Sequence, residues 1–392
     1  MARIKSPLLT VFVREADHIR KNPAYRFMLF TGPVIAFAIL FFIFQKGVVK
    51  EIPVAIVNQD QSSLSIKIEN NIEASSEVAI TLHSPDMFQA REAMERAEVD
   101  AIIQILEGTE KSVLSGAEAP IPIFINGTNV LKAGLLQRSL LTTIRTISGG
   151  IQLKKLMASG LTEKQAMNRI VPVKIDQHTL FNPFLNYNFF LNSALMHLML
   201  FLFALLSSIY SLGIELKRGT GHELLMCSNR SVRMAVLGKL APFTIIFAGL
   251  AMLIDLTMYK ILGAPLNGNP LVLFSGQVVA IVTCQLMGII FVGLTNNLRF
   301  ALSLGSGYSM IGMTLCGLTF PMEGMPLIAR WFTSIFPLTW WEQLYIDQSL
   351  YNAPVKNSMV YIGWLLVFQV VSLAFLPSYK KYLTDKRYWG KA

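Results

Sequence analysis

The sequence predicts a membrane protein, mainly α. It has six transmembrane helices in a one-plus-five order, with an α/β domain between the first and second and a re-entrant outer loop before the sixth. Three observations predict it. Of 392 residues, 53% are hydrophobic and only 15% charged, whereas soluble domains carry about 25% charged residues. The apolar residues come in blocks of membrane-spanning length rather than in helix or strand periods. One stretch, 46–186, has ordinary soluble composition and separates the first block from the others.

Residues 1–23 form an interfacial segment, read as an amphipathic helix over 6–23. Leu8, Leu9, Phe12, Val13, Ala16 and Ile19 lie on one side, Arg14, Glu15, Asp17 and Arg20 on the other, and Pro23 ends it. Such a helix either anchors the first span or acts as a lever linking cytoplasmic movement to the spans. The first span, 24–45, holds no ionisable residue from Phe27 to Gln45 and is long enough to cross about 30 Å of hydrocarbon. It is expected to be retained, since it starts too late, runs too long and lacks the cleavage site of a signal peptide.

The polar stretch 46–186 reads as a small α/β domain with a protruding helical part. Strands are expected at Ile52–Asn58, Val78–Leu82, Ala101–Ile105 and Ile121–Ile125, the first closed by turn-prone Asn58 and Asp60 and the last by Gly127. Helices are expected at 61–74, from an N-cap at Ser84 with Pro85 in the first turn to about 98, and over 129–158. The last carries Leu131, Leu135, Leu136, Leu140 and Ile144 on one face. No Ser, His or Asp in the domain has a catalytic motif around it, so a hydrolase is not expected.

After Phe181, Asn182 and Pro183, residues 187–378 hold the remaining spans, at about 187–212, 236–262, 270–295, 299–320 and 357–377. Ionisable groups inside spans are costly and therefore candidates for function. His197 and Asp255 lie at comparable depth and either pair, line a water-filled cavity, or are simply buried with satisfied hydrogen bonds. Asn192, Gln277 and Gln285 read as interhelical hydrogen-bond partners. Gly305, Gly307, Gly312 and Gly317 permit close packing, within one subunit or between two. The outer loop 321–356 carries Pro321, Met325, Pro326, Trp331, Pro337, Trp340 and Trp341, with Glu342 and Asp347. Repeated prolines with interfacial tryptophans favour short helices dipping into the outer leaflet over a plain aromatic belt.

Basic residues near span ends set the orientation. With the N-terminus inside, the inner side holds Arg3, Lys5, Arg14, Arg20, Lys21, Arg26, Lys217, Arg218, Arg230, Arg233, Lys239 and Arg299. It also holds the basic tail 379–392, with Lys380, Lys381, Lys386, Arg387 and Lys391. The outer loops hold only Lys46, Lys50, Lys260, Arg330 and Lys356 near their membrane ends. Both termini are therefore expected in the cytoplasm and the α/β domain outside. The net charge of +10 follows from this bias and from anionic headgroups, and implies no nucleic acid. Cys227, Cys284 and Cys316 fall outside the α/β domain, and no His/Cys cluster has metal-ligand spacing, so no metal site is expected.

Between the second and third spans lies a charged segment, 213–238. Glu215, Lys217, Arg218 and Glu223 place both signs on a short helix at the membrane, Gly219 and Thr220 supply its turn, and Leu224 and Leu225 offer an apolar contact. A positive-inside loop would explain the basic residues but not the interleaved acids and leucines. A docking surface for another protein explains all of them.

In order and in local strings the chain resembles the ABC-2 type permeases, the membrane halves of type V ABC exporters. The strings are Arg20 to Pro23 with Gly32 and Pro33, the strand Val54–Asp60, and the charged segment with Gly238, Lys239 and Pro242. Phe320, Pro321, Met325, Pro326, Pro337 and Thr339 add the last outer loop. Met226 to Asn229 depart from the family's Ser/Thr-Pro turn. The resemblance implies a coupling helix at 213–238, an ABC ATPase subunit that carries ATP and magnesium, no cofactor on this chain, and a bacterial inner-membrane location. It also implies a second permease copy or a similar permease. An export permease for drugs, lipids or other amphipathic products, sometimes meeting a periplasmic adaptor, is the leading expectation. A non-transporting receptor or scaffold and an ion-coupled secondary transporter are the others. The sequence contains no G-x-x-x-x-G-K-[ST], so ATP hydrolysis is expected from the partner.

Overall fold

The computed structural model describes residues 6–173, 175, 178–182 and 185–390; Arg3, Lys5, Pro183 and Lys391 lie outside the described residues. Two compact units result, one made of Met1–Gly47 with Thr179–Ala392, the other of Val48–His178.

In the first unit, helix α1 spans Pro7–Lys21, capped by Ser6, whose hydroxyl accepts the Leu9 N–H. Its buried residues are Val11, Glu15 and Ile19, at four-residue spacing, while Leu8, Leu9 and Val13 are exposed. The expected faces are thus reversed in part: Glu15 points into the protein and the leucines away from it. A chain surrounded by lipid has no reason to turn its apolar side inward, because lipid is as apolar as leucine. Helix α2, Pro23–Phe44, follows after Asn22, which accepts the Ala24 N–H, and is 22 residues long.

The second unit runs β1 (Ile52–Asn58), α3 (Ser63–Glu73), β2 (Val78–Ser84), α4 (Met87–Glu95), β3 (Ala101–Ile105), α5 (Thr109–Ser115), β4 (Ile123–Ile125), α6 (Val130–Ala158) and α7 (Glu163–Ile170). The sheet order is β2-β1-β3-β4. β1 is parallel to β2, with Ile52 opposite Val78, and to β3, with Val54 opposite Ala101; β4 closes antiparallel to β3. Parallel neighbours need crossover helices, which α3 and α4 supply. Helices on both faces explain why β1 is apolar without alternation. Val54, Ile56 and Ile103 pack on Ile68, Leu136 and Leu140, while Ala55, Val57 and Ile102 pack on Ala90 and Ala93. The expected cap at Ser84 is corrected: Ser84 ends β2, and Asp86 caps α4 by accepting the Phe88 N–H at 3.0 Å.

The first unit resumes with α8 (Asn188–Arg218), α9 (Gly221–Cys227), α10 (Val232–Ile261), α11 (Pro270–Thr295), α12 (Leu298–Leu315), α13 (Leu327–Thr333), α14 (Pro337–Tyr345) and α15 (Val355–Thr384). Among the described residues, five helices are long and apolar enough to cross a membrane: α2, α8, α10, α11 and α15. Helix α12, expected as a further span, has 18 residues and carries Arg299 with several serines and glycines, so it falls short of that apolarity. It packs on its own chain, with Gly305 against Ile209 and Gly312 against Phe336.

Within residues 321–356, two short α-helices form, α13 and α14. On α13, Leu327, Ile328 and Trp331 are exposed. Pro321 and Pro326 are exposed, whereas Met325 and Pro337 are buried, Pro337 opening α14. Helix α14 is driven into the bundle, with Trp341 and Tyr345 fully buried and stacked 5.4 Å apart, and Phe201 of α8 meeting Trp341 at 4.9 Å.

Candidate functional site

Three helices converge on a buried ionic network. Gly238 brings α1 onto α10: a Cβ there would lie 2.8 Å from the Val11 Cβ and 2.9 Å from the Leu8 carbonyl oxygen. That contact sets Glu15 of α1 beside Lys239 of α10. The Lys239 ammonium donates to Glu15 Oε2 at 2.6 Å and to Glu215 Oε1, on α8, at 2.7 Å. Arg14 grips Glu215 with two parallel bonds of 2.8 and 3.0 Å. Ser211 donates to Glu15 at 2.8 Å and Thr220 to Glu215 at 2.5 Å.

Lys239 and Glu15 are 0% exposed and Glu215 1%. Two carboxylates and two cations balance, and every charged group is hydrogen-bonded, the condition under which buried ions are tolerated. At Glu15, burial alone would raise the carboxyl; the Lys239 charge and the bonds from His18, Lys239 and Ser211 outweigh it and hold the group below the ordinary range. Glu15, His18 and Glu215 also bring ligand atoms within 4.8 Å of one another. The Lys239 ammonium bridges the two carboxylates, so a cation would have to displace it.

The charged segment sits directly on this network. Gly219, at φ +68°, ends α8 in the left-handed conformation that glycine adopts without strain, and Thr220 leads into α9. Lys217, Arg218, His222, Glu223 and Met226 face outward. Leu224 (0% exposed) and Leu225 (5%) do not. Gly221 of the same helix packs on Leu383, and the Gly390 N–H donates to the Leu216 carbonyl. Leu224, Leu225 and Glu215, expected at the coupling surface, are instead buried or paired within the chain. In place of a Ser/Thr-Pro turn, Asn229 and Arg230 both adopt positive φ, and Ser231 caps α10.

A second polar cluster lies between α8, α10 and α11. His197 Nδ1–H donates to the Ser193 carbonyl at 2.8 Å, which leaves Nε2 as an acceptor in the neutral ring. The Gln277 amide donates to that Nε2 at 3.0 Å and to Asp255 Oδ1 at 3.1 Å, and the two acceptors are 3.2 Å apart. A proton added at Nε2 would turn this into a direct His197–Asp255 ion pair. The two residues that the sequence placed at similar depth are brought together, with Gln277 between them.

Sequence reasoning missed Glu15, placed on the solvent side of α1, and the role of Lys239. The one available signal was a lysine inside an apolar run. It also left Glu342 as a loop acid. Glu342 is 0% exposed, neither carboxyl oxygen has a hydrogen-bond partner among the described residues, and burial pushes the group up to about 8.

The protein-family model described as ABC-2 family transporter protein matches residues 23–376. That range takes in Glu215, Lys239, His197 and Asp255, while Arg14 and Glu15 precede it. A search of curated proteins gives no match.

Proposed function

Because the chain belongs to the ABC-2 transporter family, whose members are transport membrane subunits rather than catalytic ones, we propose that it is the permease of an ATP-driven exporter of amphipathic substrates. A separate ABC ATPase, carrying ATP and magnesium, supplies the energy. The observation that carries this reading is the placement of α9. Its outward face of His222, Glu223 and Met226, flanked by Lys217 and Arg218, stands over an ionic network that ties α1, α8 and α10 together. A push on that face moves three helices as one body, because the buried charges of α1, α8 and α10 pair with one another.

Six spans complete the permease, with α12 as the fifth; 18 residues give about 27 Å of helix, close to the hydrocarbon thickness. The positive-inside bias favours both termini in the cytoplasm and the α/β unit outside, in a bacterial inner membrane. Two copies, or one copy with a similar permease, enclose the pathway, since a single chain offers one coupling helix. A pathway rich in Phe, Met and Leu favours drugs, lipids or related products over sugars and ions. A periplasmic adaptor is a further expected partner of the outer unit.

The test is reconstitution. The chain and the ABC ATPase that co-purifies with it are placed in proteoliposomes, and transport of a fluorescent amphiphile is followed with and without ATP. ATP-dependent movement supports the reading. Failure of any ATPase to co-purify, or transport that proceeds equally without ATP, would sink it.

A further inference from the structure

Helix α6 carries one continuous apolar stripe, Leu136, Leu140, Ile144, Ile147 and Ile151, at the spacing of a single helical face. Its two ends are treated differently. Leu136 and Leu140 are 0% and 1% exposed, sealed against the sheet. Ile144, Ile147 and Ile151 remain half-covered and, with Ile121 and Ile123, line an open cleft of about 670 Å³ in the α/β unit. That volume is within the range of small-molecule sites, about 300–1,000 Å³.

The rim has a sign. Over 29 residues α6 contains Lys132, Arg138, Arg145, Lys154 and Lys155 and no Asp or Glu. Lys132 is paired with Asp100 at 2.8 Å. Arg145 lines the cleft beside Ile144 and has no ion-pair or hydrogen-bond partner among the described residues. Lys155 stands at the far end, donating to the Val113 carbonyl at 3.3 Å. Glu118, on the opposite loop, is the acid among the lining residues. An apolar trough with an unpaired guanidinium on its wall fits a ligand that is itself apolar with an anionic end, since guanidinium pairs carboxylate or phosphate bidentately.

We propose that this cleft binds an anionic amphiphile, its alkyl chain along Ile144, Ile147 and Ile151 and its headgroup on Arg145. The site lies wholly within the α/β unit, so it goes beyond the ATP-driven reading and does not depend on it.

The experiment uses the full chain in nanodiscs of zwitterionic lipid with a photoreactive long-chain fatty acid, and labelled peptides are mapped by mass spectrometry. Label is expected in peptides covering 109–123 and 141–155. Arg145→Glu, and separately Ile144→Trp, which fills the cleft, are each expected to lower that label about tenfold, a change near 1.4 kcal/mol. Label in the spans should stay constant and reports that the variants fold. A long-chain alcohol carrying the same photoreactive group should label the cleft about tenfold less, the same increment. Cleft label indifferent to both variants, equal label from the alcohol, or label confined to the spans would each overturn the proposal. So would dimers cross-linked through 141–155 in place of lipid label, since a second copy would then occupy the cleft.

Discussion

Lys239→Met is expected to destabilise the chain by about 3–5 kcal/mol, the cost of leaving buried charge without its counter-ion. Lys239 is the only cation that touches both Glu15 and Glu215 among the described residues. Methionine matches its length and apolar stem, so the loss is of charge and hydrogen bonds rather than of volume. The carboxylates of α1 and α8 would then face each other across the place where the ammonium stood. Thermal unfolding of the purified chain should begin well below that of the parent, and ATP-dependent transport should fall with it. Glu15→Gln combined with Lys239→Met removes one charge of each sign and should recover much of the stability, because an uncharged buried set is tolerated better than half an ion pair. A single variant that unfolds at the parent temperature would show that the network contributes nothing to holding α1, α8 and α10 together.

Glu223→Arg combined with Met226→Asp is expected to leave folding intact and to uncouple the chain from its ATPase. Both side chains are exposed on α9. Reversal of an interface charge and insertion of an acid into an apolar contact each cost about 2 kcal/mol or more in a docked complex. Co-purification with the ATPase and stimulation of its hydrolysis should therefore fall by at least about tenfold, with an unchanged unfolding temperature. Leu224→Asp would not serve the same purpose, since Leu224 is buried within the chain and its loss reports on folding. If ATP-driven transport survives the double variant, α9 is not the docking surface.

The gap between sequence and structure follows from what each residue pattern can encode. Five of the six expected spans were readable because a run such as Phe27 to Gln45 carries its environment in its own composition, whereas α12, with Arg299 and its serines and glycines, does not. The α/β unit was readable for a similar reason: its strands are short β-branched runs between turn residues, and α6 has a clean apolar face. Caps were less so, since Ser84, Pro85 and Asp86 all belong to helix starts and only the strand's length decides which one caps. The facing of α1 and α9 was not readable at all. On α1 both the apolar and the polar side have somewhere favourable to go, lipid for Leu8 and Leu9, an ion pair for Glu15. On α9 two leucines have the same composition whether they meet a partner or Leu383 and its neighbours.

The sequence by itself determined that the chain is built for a membrane, that its polar α/β unit interrupts the spans once, and that a charged segment with both signs lies between two of them. Burial of apolar runs is a local property, additive along the chain, so composition suffices. Only the tertiary structure decided that Glu15, Glu215 and Lys239 form one site and that Gln277 joins His197 to Asp255. Glu15 and Lys239 are separated by 224 residues. A buried charge is stable only against a counter-charge at hydrogen-bond distance, and that distance is set by how helices pack, not by where residues stand in the chain.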